Sequence, residues 1–256
     1  QWGDQDEEDG FTGYDYFMRG ATLGFDHRLM DKLMVGVGVG YSRSDFDLDR
    51  NQGDGDVKSL FGSLYGSYFD KNLYVDAILS YGQNWYDNSR LITIGGILRE
   101  ATSDHDGDLF SGYLGGGYYF DFNPWSVGPY GSLQYIYLDE ESFEEEGGGG
   151  VSLRVDDRQT DALVSELGLR LVRLIKGKCG NFLPEINLAW SHDFDIDDHV
   201  VRASFAGSPE ASFSIKGEGV ERNGLILGAG LNFIHKSGFS TSFRYKGDFR
   251  GDYKSN

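Results

Sequence analysis

Along 33–44 the chain alternates between two kinds of side chain. In an extended conformation Leu33, Val35, Val37, Val39 and Tyr41 fall on one face and Met34, Gly36, Gly38, Gly40 and Ser42 on the other. A period of two held this long predicts a β-strand with one apolar face. The pattern returns four times. In 73–85, Leu73, Val75, Ala77, Leu79, Tyr81 and Trp85 oppose Asp76, Ser80, Gly82 and Asn84. In 163–171, Leu163, Leu167, Leu169 and Leu171 oppose Glu166, Gly168 and Arg170. In 225–233, Leu225, Leu227, Ala229, Leu231 and Phe233 oppose Gly228, Gly230 and Asn232; in 239–245, Phe239, Thr241, Phe243 and Tyr245 oppose Ser240, Ser242 and Arg244. Stretches near 16–28, 57–69, 108–121, 125–138 and 182–194 predict further strands, about ten in all. Several exceed the roughly five or six residues of an ordinary strand and match the roughly 9–11 that a tilted strand needs to cross a bilayer.

The connections alternate in length. Short ones fall at 29–32, 70–72, 122–124, 176–181 and 235–238; long ones at about 45–56, 87–106, 139–160 and 195–222, with 3–15 as another. An antiparallel up-and-down meander with two unlike ends produces this alternation, and transmembrane barrels have it. Aromatic residues gather where such strands would leave the lipid: Trp125, Phe182, Phe233 and Phe239 near the short turns, and Tyr41, Trp85, Tyr137, Trp190 and Tyr245 near the long connections. Two bands of amphipathic rings are expected at the two membrane interfaces.

Composition supports this picture. The 256 residues include 16 Tyr, 18 Phe and 38 Gly but only 4 Pro, a mixture suited to strands and tight turns. The hydrophobic fraction of 39% is modest, as expected where only alternate residues face lipid. A net charge of −18 argues against a nucleic-acid partner, whose phosphates require Lys and Arg. Much of the acid lies in the long connections, in runs such as Asp6–Asp9, Asp45 to Asp56 and Asp139 to Glu146. The one cysteine, Cys179, forms no internal disulfide.

Several stretches resemble, in order, the β-domain of type V autotransporters: WGD at 2–4, GYDY at 13–16, GATLGFDHR at 20–28, LYGSY at 64–68, GPY at 128–130, SELGLR at 165–170, LPEINLAWSH at 183–192 and FAGSP at 205–209. The resemblance implies an integral barrel of a Gram-negative outer membrane, its long loops outside the cell, that anchors and supports export of an N-terminal passenger without cofactor or covalent chemistry. It implies a twelve-strand barrel, and against that pattern both closing strands are expected to be missing, so that 1–256 is one translocator domain truncated at both ends. Either closure on itself or edge pairing with another chain would then be required. Further implied partners are outer-membrane lipid and lipopolysaccharide, the passenger, and the barrel-assembly machinery. The alternative is a stand-alone barrel serving as structural anchor, adhesin or weak solute channel.

The predicted inner face carries the candidate chemistry: Asp76, Asn84, Glu166, Arg170, Glu185, Asn187, Arg244 and Lys246 as pore-lining residues. Opposite charges there can bridge strands around a hydrated passage. Two catalytic or metal readings are weaker. Ser191, His192 and Asp193 are adjacent, but neighbouring strand residues point to opposite faces and cannot converge. Asp45, Asp47 and Asp49 have the spacing that opens a Ca²⁺ loop, but Arg50 stands where glycine is needed.

Overall fold

The computed structural model describes residues 1–5, 12–194, 200–216, 221–237, 239–250 and 253–255. The acidic run Asp6–Asp9, His199 and Gly238 lie outside the described residues. Eighteen strands follow one another along the described chain. They are β1 (Trp2–Gln5), β2 (Tyr14–Met30), β3 (Leu33–Leu48), β4 (Gly53–Asp70), β5 (Leu73–Ile94), β6 (Ile97–Tyr118), β7 (Phe120–Phe122), β8 (Trp125–Glu140) and β9 (Phe143–Glu144). Then come β10 (Leu153–Val155), β11 (Arg158–Arg173), β12 (Ile175–Lys176), β13 (Gly180–Asp193), β14 (Val200–Phe205), β15 (Ser208–Lys216), β16 (Asn223–His235), β17 (Ser240–Arg250) and β18 (Tyr253–Ser255). Every pairing is antiparallel between neighbours in the ring, and β8 pairs with both β6 and β11.

Twelve of these strands, all but β7, β9, β10, β12, β14 and β15, close into a ring. The ten long strands match those expected from alternation. Of the two closing strands expected to be missing, the described chain carries short pieces, β1 and β18, which pair with each other through Gly3–Ser255, Asp4–Lys254 and Gln5–Tyr253. The ring therefore closes within the chain, at the end of the long connections. The alternation that reveals a strand needs several residues to register, which is why strands this short escaped the pattern.

The outside of the ring is the apolar side. Leu23 (76% exposed), Phe25 (73%) and Phe243 (71%) stand away from the protein, as do Val37, Leu64, Leu167 and Ile186. An apolar surface this continuous far exceeds what a water-facing monomer carries, and it is satisfied only by lipid. The polar alternate residues turn inward. Gly20, Gly24, Gly36, Gly38 and Gly40 share the inner face of β2 and β3.

Where they are described, the long connections contain much strand, contrary to the expectation from their polarity. β3 and β4 stay paired as far as Leu48–Gly53, and β5 and β6 as far as Ile94–Ile97. The turn between the latter is Gly95-Gly96, with φ of 57° and 86°, the left-handed conformation that a two-residue hairpin turn demands. The 139–160 and 195–222 connections supply β9, β10, β14 and β15, which form a separate four-strand sheet in the order β15-β14-β10-β9. Beyond the lipid a strand need not keep an apolar face, so charge density marks the end of the membrane span rather than the end of the strand. The buried apolar residues confirm this: of Ile92, Ala101, Val155, Ala189, Ala203 and Ile226, the first three and Ala203 belong to this cap rather than to the barrel wall.

Candidate functional site: the polar lumen

Inside the ring, glycines and aromatic rings are matched across strands. Gly36 is paired with Tyr65, Gly40 with Phe61, Gly117 with Tyr74 and Gly168 with Tyr130. A Cβ at Gly36 would sit 2.4 Å from the Tyr65 ring, and one at Gly40 would sit 2.3 Å from Phe61. Each ring thus lies flat over its neighbour's glycine instead of projecting inward. This packing lines the wall with aromatic surface.

The same device operates with charge on β16. Gly228 and Gly230 face inward between β13 and β17. Asn187 and Glu185 of β13 lie over them, with Asn187 Oδ1 1.9 Å from where a Gly228 Cβ would be. Across this trough Arg244 Nε donates to Glu185 Oε1 at 3.1 Å, and Asn232 Nδ2 donates to Glu185 Oε2 at 3.3 Å. Lys246 reaches over both intervening strands to Glu166 of β11. Arg170 donates to the Tyr119 hydroxyl at 3.1 Å, with its guanidinium 5.2 Å from the Tyr130 ring centre. Asn187 Nδ2 donates to the same Tyr130's hydroxyl at 3.5 Å.

These side chains converge on one cavity of about 330 Å³. Asp76, Glu166, Arg170, Glu185, Asn187, Arg244 and Lys246, all expected from the inner-face pattern, line it together with Tyr74, Tyr113 and Tyr130. Asp76 accepts a hydrogen bond from Ser67 on the wall opposite the β13–β17 charges. Asn84 also faces inward but lies outside this cavity, buried beside Tyr86, to whose hydroxyl it donates at 3.1 Å. The sequence pattern does not single out the lumen tyrosines, because aromatic residues suit both the lipid-facing and the inner side of a barrel. The signal that could have found them is an aromatic residue of inner-face parity whose predicted partner is glycine.

All nine residues expected to form aromatic bands stand at outward positions. Tyr41, Trp125, Phe182, Trp190, Phe239 and Tyr245 are exposed, and Trp85, Tyr137 and Phe233 are half-buried. Phe182 and Phe233 pack with ring centres 4.6 Å apart. Ser191 and Asp193 point inward and His192 outward, where its Nδ1 lies 3.0 Å from Asn223 Oδ1. Asp45 and Asp47 are strand residues of β3, and Asp45 is engaged by Arg43 at 2.7 Å rather than placed in a cation loop.

At the end of the long connections the cap has its own charged core. Glu140 is buried and receives a two-pronged contact from Arg158, at 2.5 Å from Nε and 2.6 Å from Nη2. Burial alone would raise the Glu140 carboxyl, but its contacts with His105 and Arg158 outweigh that and hold it below the ordinary range. His105 lies 3.7 Å away, close enough to attract but too far for a good hydrogen bond, so Arg158 is the firmer hold. The His105 ring is sandwiched between Tyr86, at 4.6 Å, and Phe143, at 4.3 Å.

A closed antiparallel ring, apolar outside and polar within, defines an integral outer-membrane barrel. The chain belongs to the autotransporter beta-domain family, whose model matches residues 1–246, and with it to the translocator barrels of type V secretion. It is 25% identical to an extracellular serine protease of Serratia marcescens over 261 residues, which cover 100% of this chain but only 24% of that protein's length. Among solved structures it is similar to the translocator domain of autotransporter NalP from Neisseria meningitidis, with a TM-score of 0.76, 17% identity, and coverage of 99% of this chain and 80% of that one. It is also similar to the beta domain of the Bordetella autotransporter BrkA, with a TM-score of 0.67, 22% identity, and coverage of 97% and 90%. Family membership makes it an integral protein of the outer membrane.

Proposed function

We propose that this chain is the export passage for its own N-terminal passenger and catalyses no covalent step itself. The observation that carries this reading is the central cavity, where acids and bases face one another across a space lined by ring-over-glycine packing. An extended polypeptide is polar along its whole backbone and needs such a hydrated, charge-balanced wall. Glu166, Arg170, Glu185, Asn187, Arg244, Lys246 and Asp76 are the residues it would pass, with Asn84 nearer the external mouth. The nine outward aromatic residues anchor the barrel at the two interfaces. Residues 1–256 act as one translocator domain, and any flanking chain would extend the short closing strands β1 and β18. Insertion depends on the barrel-assembly machinery. Outer-membrane lipid and lipopolysaccharide complete the list of partners.

The test is a photo-crosslinker placed at Arg170, which faces the lumen, or at Leu169, which faces lipid, in the protein displaying a passenger. Crosslinks to the passenger are expected from Arg170 and not from Leu169. Equal yields from the two positions, or none from Arg170 while the passenger still reaches the surface, would overturn the reading.

A further inference from the structure

On the outer face of β2, β3 and β4, three cationic residues stand directly opposite one another. Arg19 pairs in register with Arg43, and Arg43 with Lys58. Neighbouring strands lie about 4.8 Å apart, so the three charges fall within roughly 10 Å. Like charges in one rung destabilise a sheet unless something answers them.

The rung on the external side answers them in part. It is a row of carboxylates: Asp45 is paired in register with Asp56, and Asp56 with Asp87. Arg43 donates to Asp45 at 2.7 Å and to Asp56 at 3.3 Å. Lys58 lies 2.8 Å from Asp87 and 3.3 Å from Asp56, and Arg19 comes no nearer than 3.6 Å to Asp45. All these contacts come from the external side. The rung on the membrane side is Ala21, Tyr41 and Leu60, which offers no acid.

A guanidinium has five N–H donors and an ammonium three, so among the described residues each cation keeps donors that no carboxylate meets. Those donors sit at one level, just above an apolar wall and a tyrosine of the interfacial band. In a bilayer that level belongs to the lipid head groups, whose phosphates attract Lys and Arg.

We infer that Arg19, Arg43 and Lys58 together bind the phosphate of an outer-leaflet lipid. The inference rests on the external placement of the long-connection end. The aspartate row holds the three side chains extended along the wall and limits their attraction for free anions. A lipid phosphate gains from its acyl chains lying against Ala21, Tyr41 and Leu60, and inorganic phosphate does not.

The test uses the 256-residue protein, folded in detergent, and a phosphorylated glycolipid, lipid A, as probe. Retention is compared with that of the same lipid after enzymatic dephosphorylation and in the presence of excess inorganic phosphate. Each surface cation contributes roughly fivefold to affinity for an anionic head group, so R19Q/R43Q/K58Q should weaken retention by roughly a hundredfold. R19K/R43K keeps the charge and should retain most of it. Asp56→Asn removes a competing acid and should tighten retention, an effect that a merely structural role for the rung would not give. Retention of lipid A unchanged in the triple variant, equal retention of the dephosphorylated lipid, or displacement by millimolar inorganic phosphate would each overturn the inference. Heat-modifiable migration checks that each variant is folded. Protease access to the cap on intact cells tests the external placement separately, so failure of the lipid site and failure of the orientation give different results.

Discussion

Tyr65 owes its position to the absence of a side chain at Gly36. A Cβ there would meet the ring at 2.4 Å, so Gly36→Val must drive Tyr65 off the wall and into the lumen. Its hydroxyl would also lose the Asp26 carboxylate, 3.4 Å away. Overpacking of this kind costs about 1–3 kcal/mol. The expected outcome is a lower temperature of heat-modifiable unfolding together with reduced conductance in planar bilayers. Gly62, on the lipid face with nothing nearer than 4.0 Å, is the control, and Gly62→Val should change neither. The inner-face charges were legible from alternation alone, because parity assigns a face without any knowledge of partners. Their partners were not: Lys246 and Glu166 are 80 residues apart, and only the ring order brings them together. The lumen tyrosines were illegible for a different reason. Aromatic rings serve both faces of a barrel, and the distinguishing feature, a glycine opposite, lies on another strand.

The elements of the cap follow other rules than those of the wall. The β5–β6 hairpin is a scaffold onto which the 139–157 segment docks. Arg90 on β5 holds Glu145 with both its Nε, at 2.8 Å, and its Nη2, at 2.6 Å, and adds the Val151 carbonyl at 3.3 Å. Glu145 is buried, so Arg90→Ala leaves a carboxylate with the Leu153 N–H as its remaining partner, at a cost of about 2–3 kcal/mol. Limited proteolysis should then cut within 139–157 while the barrel still migrates as a folded species. The cap also carries a pH dependence with a definite sign. The folded-state pKa of Glu140 lies below its unfolded value, so the Glu140–Arg158 contact stabilises the cap at neutral pH, and that contribution is lost as the pH falls through the depressed pKa. Pepsin sensitivity of the cap should rise at the acid end of that range, and Glu140→Gln should flatten the rise. From sequence this region read as solvated loop, since its acids obscure the apolar positions Ile92, Ala101, Val155 and Ala203 that make its small core.

At the scale of the whole ring, the described pairings are unequal in length. β5 and β6 pair along 22 residues each, whereas β1 meets β18 over three residue pairs. Among the described residues, β18 in turn meets β17 through Asp248, Phe249 and Arg250. Below this short seam the edges of β2 and β17 face each other without a described strand between them. Such edges are intolerable in bare hydrocarbon and are the weakest part of the wall. The barrel is therefore expected to open at β1–β18 before any other pairing breaks. A cysteine pair can test this, with Cys179 replaced by serine. Asp4→Cys and Lys254→Cys are in register and should form a crosslink in the folded protein. Asp4→Cys with Phe243→Cys, which lies further down the free edge of β17, should not. The crosslinked chain should resist heat-modifiable unfolding to a higher temperature than its reduced form, because locking the first pairing to open raises the barrier for the whole ring. Crosslinking that forms readily but leaves the unfolding temperature unchanged would place the first opening elsewhere in the wall. Efficient crosslinking to position 243 would show that the seam slides, with β17 taking the place of β18.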